Sequence, residues 1–308
     1  MLNRRPHVAL RAAAPAVRNQ DFGNRVMPRN KSSSKRDRRG RISDLLRVRP
    51  GRVDLDDEHA DATPGVDSRE KAEAELERLR GQLGELQHKM YADGRFGVLA
   101  IVQAMDGGGK DGTIRHVFSA FNPAGCSVTA FKVPSETELK HDFLWRIHAA
   151  VPPRGSIGVF NRSHYEDVLV VRVENLVPKP VWRARYEQIN EFERMLDANS
   201  IRVVKFFLHI SKDEQRERLE ARLRDPEKLW KFDPGDIDKR RQWDDYMAAY
   251  RDALARCSTG HAPWYAIPAN RKWYRNYAVA RILLETLSDL PLEWPRAKVD
   301  PRKVKVPR

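Results

Sequence analysis

The sequence predicts an α/β protein in which one five-stranded parallel sheet lies between two layers of helices, a three-layer α/β/α sandwich. Three observations lead there. Apolar runs too short for helices recur five times, helical patterns separate them, and the first run ends in a glycine-rich loop.

Taken in order, residues 1–44 form a basic segment that includes KSSSKRDRRGR, too polar and charge-dense to bury a core. Its expected form is a disordered extension. The opening MLNRRPHVALRAAAPAVRNQ is rich in Arg and Ala and has no acid, so a transit peptide or a mis-assigned start are the other readings. LLRVRPGRVDLDDEHADATPG (45–65) reads as an irregular wrap around the domain. A helix follows, with Leu76, Leu79, Leu83, Leu86 and Met90 at helical spacing, a capping-box-like start at Asp67 and Glu70, and a stop at Gly94.

The predicted strands are 96–104, 127–133, 156–161, 201–210 and 264–269. The predicted helices are 113–121, 136–150, 163–175, 181–199, 236–257 and 271–288. Residues 299–308 read as a basic C-terminal tail.

The net charge of +14 is concentrated at the start, since residues 1–50 hold 14 Lys/Arg and 3 Asp/Glu. The remaining residues carry 43 basic and 40 acidic side chains, so a fold-wide nucleic-acid surface is not expected. No apolar run is long enough to span a membrane. Cys126 and Cys257 have no metal or disulfide spacing, which suits a reducing cytoplasm.

QAMDGGGKDGT (103–113) lies between a strand and a helix, the context of a phosphate-binding loop. Gly107, Gly108, Gly109 and Gly112 permit close backbone approach, and Lys110 supplies charge. Ala104 replaces the usual first Gly, and Asp111 replaces the hydroxyl that ordinarily holds a metal ion. Asp106 would repel a phosphate unless a cation bridged them, so it predicts a metal between protein and substrate. Asp111 either orients an Arg or Lys or is a first-turn residue favoured by the helix dipole.

VFNRSHYEDV (159–168) ends the third strand at the carboxyl edge of the sheet. Arg162 is a candidate phosphate clamp, Glu166 and Asp167 are candidate metal or general-base carboxylates, and Ser163 is an N-cap. His164 reads as structural rather than as a phosphorylated base. RERLEARLRDPEKLWKFDPGD (216–236) sets Arg218, Arg222, Lys228 and Lys231 among Trp230 and Phe232, suiting a lid over phosphates at about 212–236.

With these stretches together the chain resembles the polyphosphate kinase 2 family. The family loop G-x-D-x-x-G-K-x-G is met by Asp106, Gly109, Lys110 and Gly112. Its lid R-x-x-x-R-x-x-D-P-x-K-x-W-K is met by Arg218, Arg222, Asp225, Pro226, Lys228, Trp230 and Lys231. The resemblance covers residues 45–298. Ala104 stands at the first Gly of the loop, and three departures stand out: Asn161 in place of a strand-end Asp, Asp233-Pro234 where the lid usually continues with Ser, and GKDG and YED rather than a GKGG and YN pairing.

The resemblance implies a P-loop kinase-like fold with a helical lid. It also implies reversible Mg²⁺-dependent phosphoryl transfer (Mn²⁺ as the other ion) between inorganic polyphosphate and purine nucleotides by a homodimer or homotetramer. Asp106, Lys110, Arg162 and Glu166 would be catalytic, with Asp106 and Glu166 holding the metal. The loop glycines, Lys132 and the lid cations would bind polyphosphate. GKDG and YED resemble the branch acting on both AMP and ADP, with GMP and GDP as further acceptors. The other readings are an ATP-dependent nucleoside monophosphate kinase of thymidylate-kinase type, and a binder of nucleic acid or another acidic polymer acting through the basic tail.

Overall fold

In the computed structural model, residues 40–307 are described, apart from 52 and 54. The expected extension therefore lies almost wholly outside the described residues. The wrap begins earlier than the expected boundary of 45. Helix α1 (Ile42–Leu46) buries Ile42, whose N–H, with that of Ser43, donates to the Glu285 carboxylate. Arg41 pairs with Asp289 at 2.9 Å. Beyond α1, Val48 N–H donates to Trp264 O at 2.9 Å, and Arg47 makes an antiparallel bridge to Tyr265.

Among the described residues, β1 (Gly97–Gln103), β2 (Cys126–Ala130), β3 (Ile157–Asn161), β4 (Ile201–His209) and β5 (Trp264–Pro268) form one parallel sheet in the order β2-β3-β1-β4-β5. Central β1, GVLAIVQ, is buried along its whole length because helices cover both faces. Val102 registers with Asn161 on one side and Phe206 on the other, so the chains leaving β1, β3 and β4 emerge side by side.

Helix α2 (Asp57–Asp61) and the long α3 (Arg69–Asp93) precede β1. Ser68 caps α3 by accepting from Lys71 N–H, one residue after the expected start, while Asp67 pairs with the Lys71 ammonium. Gly94 ends the helix at φ 69°, as its place in the sequence predicts. The α3 stripe of Leu79, Leu83 and Met90 packs on α12 (Lys272–Ser288), beside α4 (Lys110–Val117). On the other face lie α7 (Val170–Val173), α8 (Lys179–Ala198) and α11 (Trp243–Cys257).

Three expected helices are interrupted. Residues 136–150 give α5 (Glu136–Leu139) and α6 (Trp145–Ala150), because the Asp142 carboxylate accepts from Leu144 N–H and restarts the helix. Residues 163–175 open with a 3₁₀ turn (His164–Asp167) before α7. After α9 (Lys212–Arg224) comes a 3₁₀ turn (Leu229–Lys231), then α10 (Gly235–Arg241), which stops one residue before α11 begins at Trp243. Residues 299–307 are exposed throughout.

Candidate active site

The loop leaving β1 turns on positive φ angles at Gly107 and Gly109. Two glycines are fixed by close approach. A Cβ on Gly108 would meet Ala104 Cβ at 2.5 Å, and one on Gly109 would lie 2.0 Å from Arg275 Nη1. Lys110, the first residue of α4, folds back so that its ammonium donates to Ala104 O at 2.9 Å. Burial pulls its pKa down and Asp106 pushes the other way.

Asp106 faces three cations: Arg162 Nη2 at 2.9 Å, Lys239 Nζ at 3.2 Å and Lys110 Nζ at 3.9 Å. Burial alone would raise this carboxyl; the three cations outweigh it and hold the group at about 2. Gln215 Nε2 donates to Asp106 O at 2.8 Å and fixes the loop from α9.

Arg162 follows β3 directly, and its N–H donates to Val102 O of β1. Its φ of 64° is left-handed, a conformation that costs a non-glycine residue about 1–3 kcal/mol and concentrates at functional sites. Its guanidinium also reaches Glu166 at 3.8 Å. Asn161 Nδ2 donates to Asp111 Oδ1 at 2.8 Å. Asp111 thus orients an amide rather than either of the cations considered from sequence. Gln103 Nε2 donates to Ser163 Oγ, which caps the following turn. His164 is buried against Glu193, in keeping with a structural role. Asp167 is held by Arg185 at 2.9 Å.

These elements enclose a cleft of about 720 Å³ whose walls carry eleven Lys and Arg side chains and three Asp. Of the residues singled out from sequence, Asp106, Lys110, Arg162, Gly107, Gly109, Gly112, Lys132, Arg218, Arg222, Lys228 and Lys231 line it. Gly108, within the loop, is buried. Glu166 faces a separate cavity of about 20 Å³ on the far side of Asp106, beside Tyr246 and Tyr250. Several lid cations have partners within the chain. Arg218 donates to Gly107 O, Ala269 O and Asn270 O and pairs with Glu214, while Arg222 reaches Asp236 at 3.3 Å. Lys228 pairs with Asp225, and the Lys231 ammonium lies 5.0 Å from the Trp230 ring centre. A cleft with this charge, opening onto a glycine loop at a helix start, is built for a phosphorylated polyanion.

The family model for polyphosphate kinase 2 matches residues 66–293. The chain belongs to the polyphosphate kinase 2 family. It is 52% identical over 260 residues to the AMP/ADP-polyphosphate phosphotransferase of Meiothermus ruber, covering 84% of this chain and 97% of that protein. It is 46% identical over 264 residues to the ADP-polyphosphate phosphotransferase of Rhodopseudomonas palustris, covering 82% and 91%. The solved polyphosphate kinase 2 of Arthrobacter aurescens TC1 superposes with a TM-score of 0.81 at 44% identity, over 84% of this chain and 93% of that one.

Within this polyphosphate kinase 2 chain, sequence reasoning missed Arg115, Lys239, Lys272 and Arg275, all in the cleft wall. Lys239 follows the expected lid in a run of like residues, KRR, so its contact with Asp106 left no local mark. No cluster of three or more metal-ligating side chains occurs among the described residues. The ionised Asp106 nevertheless offers the hard oxygen that Mg²⁺ takes when it is bound through one or two carboxylates plus substrate phosphates.

Proposed function

We propose that this polyphosphate kinase 2 moves phosphoryl groups reversibly between inorganic polyphosphate and AMP or ADP, with Mg²⁺, and accepts GMP and GDP as further purine substrates. The observation that carries the reading is the cation-walled cleft ending at Asp106, Lys110 and Arg162. A polyphosphate chain bears about one charge per phosphoryl unit along its length, and a row of Lys and Arg meets that need without any apolar pocket. The name of the Meiothermus ruber relative supports the AMP and ADP assignment.

Phosphoryl transfer asks for in-line positioning and for neutralisation of the equatorial oxygens. The glycine loop and α4 N-terminus cradle the phosphates, Lys110 and Arg162 place positive charge on the transferred group, and Asp106 with Glu166 would hold the metal. Bound Mg²⁺ supplies further charge compensation at the phosphate oxygens. The segment 212–236 acts as the lid, excluding water with Lys228 and Lys231 on its inner side. No helix among the described residues is long and apolar enough to cross a membrane. The same reading makes the protein cytoplasmic and a homodimer or homotetramer, and light scattering checks the assembly.

The test is an acceptor panel of AMP, ADP, GMP and GDP with polyphosphate and Mg²⁺, read by thin-layer chromatography or phosphorus resonance. ATP formed from ADP is expected. Absence of any nucleotide product would sink the reading, and activity with ATP plus a monophosphate alone would favour an ordinary nucleotide kinase.

A further inference from the structure

Arg275, in the first turn of α12, is only 3% exposed, yet it forms part of the cleft wall. Its guanidinium lies behind the phosphate loop, where a Cβ on Gly109 would come within 2.0 Å of Nη1 and one on Gly112 within 3.3 Å of Nη2. Nε and Nη2 both donate to Asn276 Oδ1, at 3.2 and 2.9 Å, which fixes the plane of the group and leaves Nη1 with no protein acceptor among the described residues. No carboxylate pairs with it among the described residues, and the charge beside it is another cation, Arg218.

That sets Arg275 apart from the other cleft cations. Arg162, Lys239 and Lys110 have Asp106, Arg218 has Glu214, Arg222 has Asp236 and Lys228 has Asp225. Arg115, Lys132, Lys231 and Lys272 are exposed to water. Burial first, and Arg218 second, pull the Arg275 pKa down to about 10, which leaves it charged at neutral pH. A largely buried cation without a counter-charge is costly, and its cost is relieved when an anion arrives.

We propose that Arg275, oriented by Asn276, binds a phosphoryl unit of the polyphosphate chain from behind the glycine loop. The assignment to polyphosphate rather than nucleotide rests on position. β2 and β5 are opposite edges of the sheet. The apolar side chains that could meet a nucleobase, Phe131 and Val133, follow β2, whereas α12 follows β5 among Lys272, Arg218 and Lys228. The inference rests on the polyphosphate reading above.

The test compares Arg275→Met and Arg275→Lys with the parent protein. With Met, KM for polyphosphate should rise at least about tenfold, as for loss of a charge-assisted hydrogen bond, while KM for ADP stays within about twofold. Lys should restore part of the loss. Because the ligand-free protein holds an uncompensated charge, the thermal midpoint of the Met variant without ligand should stay level or rise. The shift produced by tripolyphosphate should shrink in the same variant. An unchanged KM for polyphosphate, a rise confined to ADP, or an equal rise in both overturns the proposal. So does a fall in midpoint with the tripolyphosphate shift intact, which marks a structural role. If Met abolishes folding, Arg275→Lys decides by the same shift. A parent protein that binds tripolyphosphate but makes no nucleotide from polyphosphate defeats the functional reading, and the shift still judges Arg275.

Discussion

Arg162, the residue directly after β3, closes on Asp106 in the loop after β1 with Nη2 2.9 Å from Oδ1. One contact thereby joins two strand ends across the floor of the cleft, using a backbone conformation unusual for arginine.

Removing either end of this contact, or the nearby ammonium, should leave the fold and cripple turnover. Asp106→Asn, Lys110→Ala and Arg162→Ala are each expected to lower kcat by roughly a hundredfold to a thousandfold, as loss of transition-state charge stabilisation does. Arg162→Lys should not recover the rate, since it cannot face Asp106 and Glu166 at once. Near-normal kcat in the Asp106 and Lys110 variants would remove them from the chemistry.

The lid lysines should behave differently. Lys228 and Lys231 are exposed, so Lys228→Ala and Lys231→Ala should raise KM for long polyphosphate several-fold at low salt and much less at high salt. kcat should move little. Steady-state kinetics at two ionic strengths tests this, and a salt-independent effect would mean that the residues act through lid packing instead.

Beneath the His164–Asp167 turn, Lys205 is buried with its ammonium on Glu193, Tyr165 OH and Cys257 O. Lys205→Met would strand the Glu193 carboxylate, and about 3–5 kcal/mol of stability should be lost. Adding Glu193→Gln should return part of it. Urea unfolding of the single and double variants measures the coupling; strictly additive losses would show that the pair does not act as a unit.

His209, buried at the end of β4, lies with Nδ1 3.1 Å from His59 Nδ1. Burial first, then His59, with Arg251 adding to them and Asp56 opposing, push its pKa down to about 3. The unfolded chain takes this proton first as pH falls, so the stability held by the neutral ring is complete above about pH 6.5 and is lost from there downward. Between pH 7 and pH 5 this one group should remove about 2 kcal/mol. His209→Phe should show a shallower loss in denaturant titrations at the two pH values; an identical slope would assign the acid sensitivity elsewhere.

The five strands, the glycine loop and the Asp225-Pro226 break were legible because each leaves a local mark: a short apolar run, a cluster of small residues, a helix stop. Arg275 was not. It lies in a helix whose buried pattern reads as ordinary core, and only the return of α12 beneath the loop gives its charge a meaning. Asp111 was legible as a residue at a helix start but not as the partner of Asn161, since that contact depends on β3 lying next to β1. Glu166 follows the strand end as its sequence position suggests, yet the 3₁₀ turn carries it behind Asp106, a detail of φ and ψ that residue types do not encode.

The bridge from Arg47 to Tyr265 and the bond from Val48 to Trp264 cover the first residues of β5, whereas among the described residues β2 has a strand partner on one side only and leaves Val128 half exposed. Among the described residues the sheet therefore has one margin that is partly covered and one that is open. Strand addition from another chain, whether in ordered assembly or in misfolding, meets less obstruction at β2 than at β5, and a lysine or proline in β2 is the change that would block it.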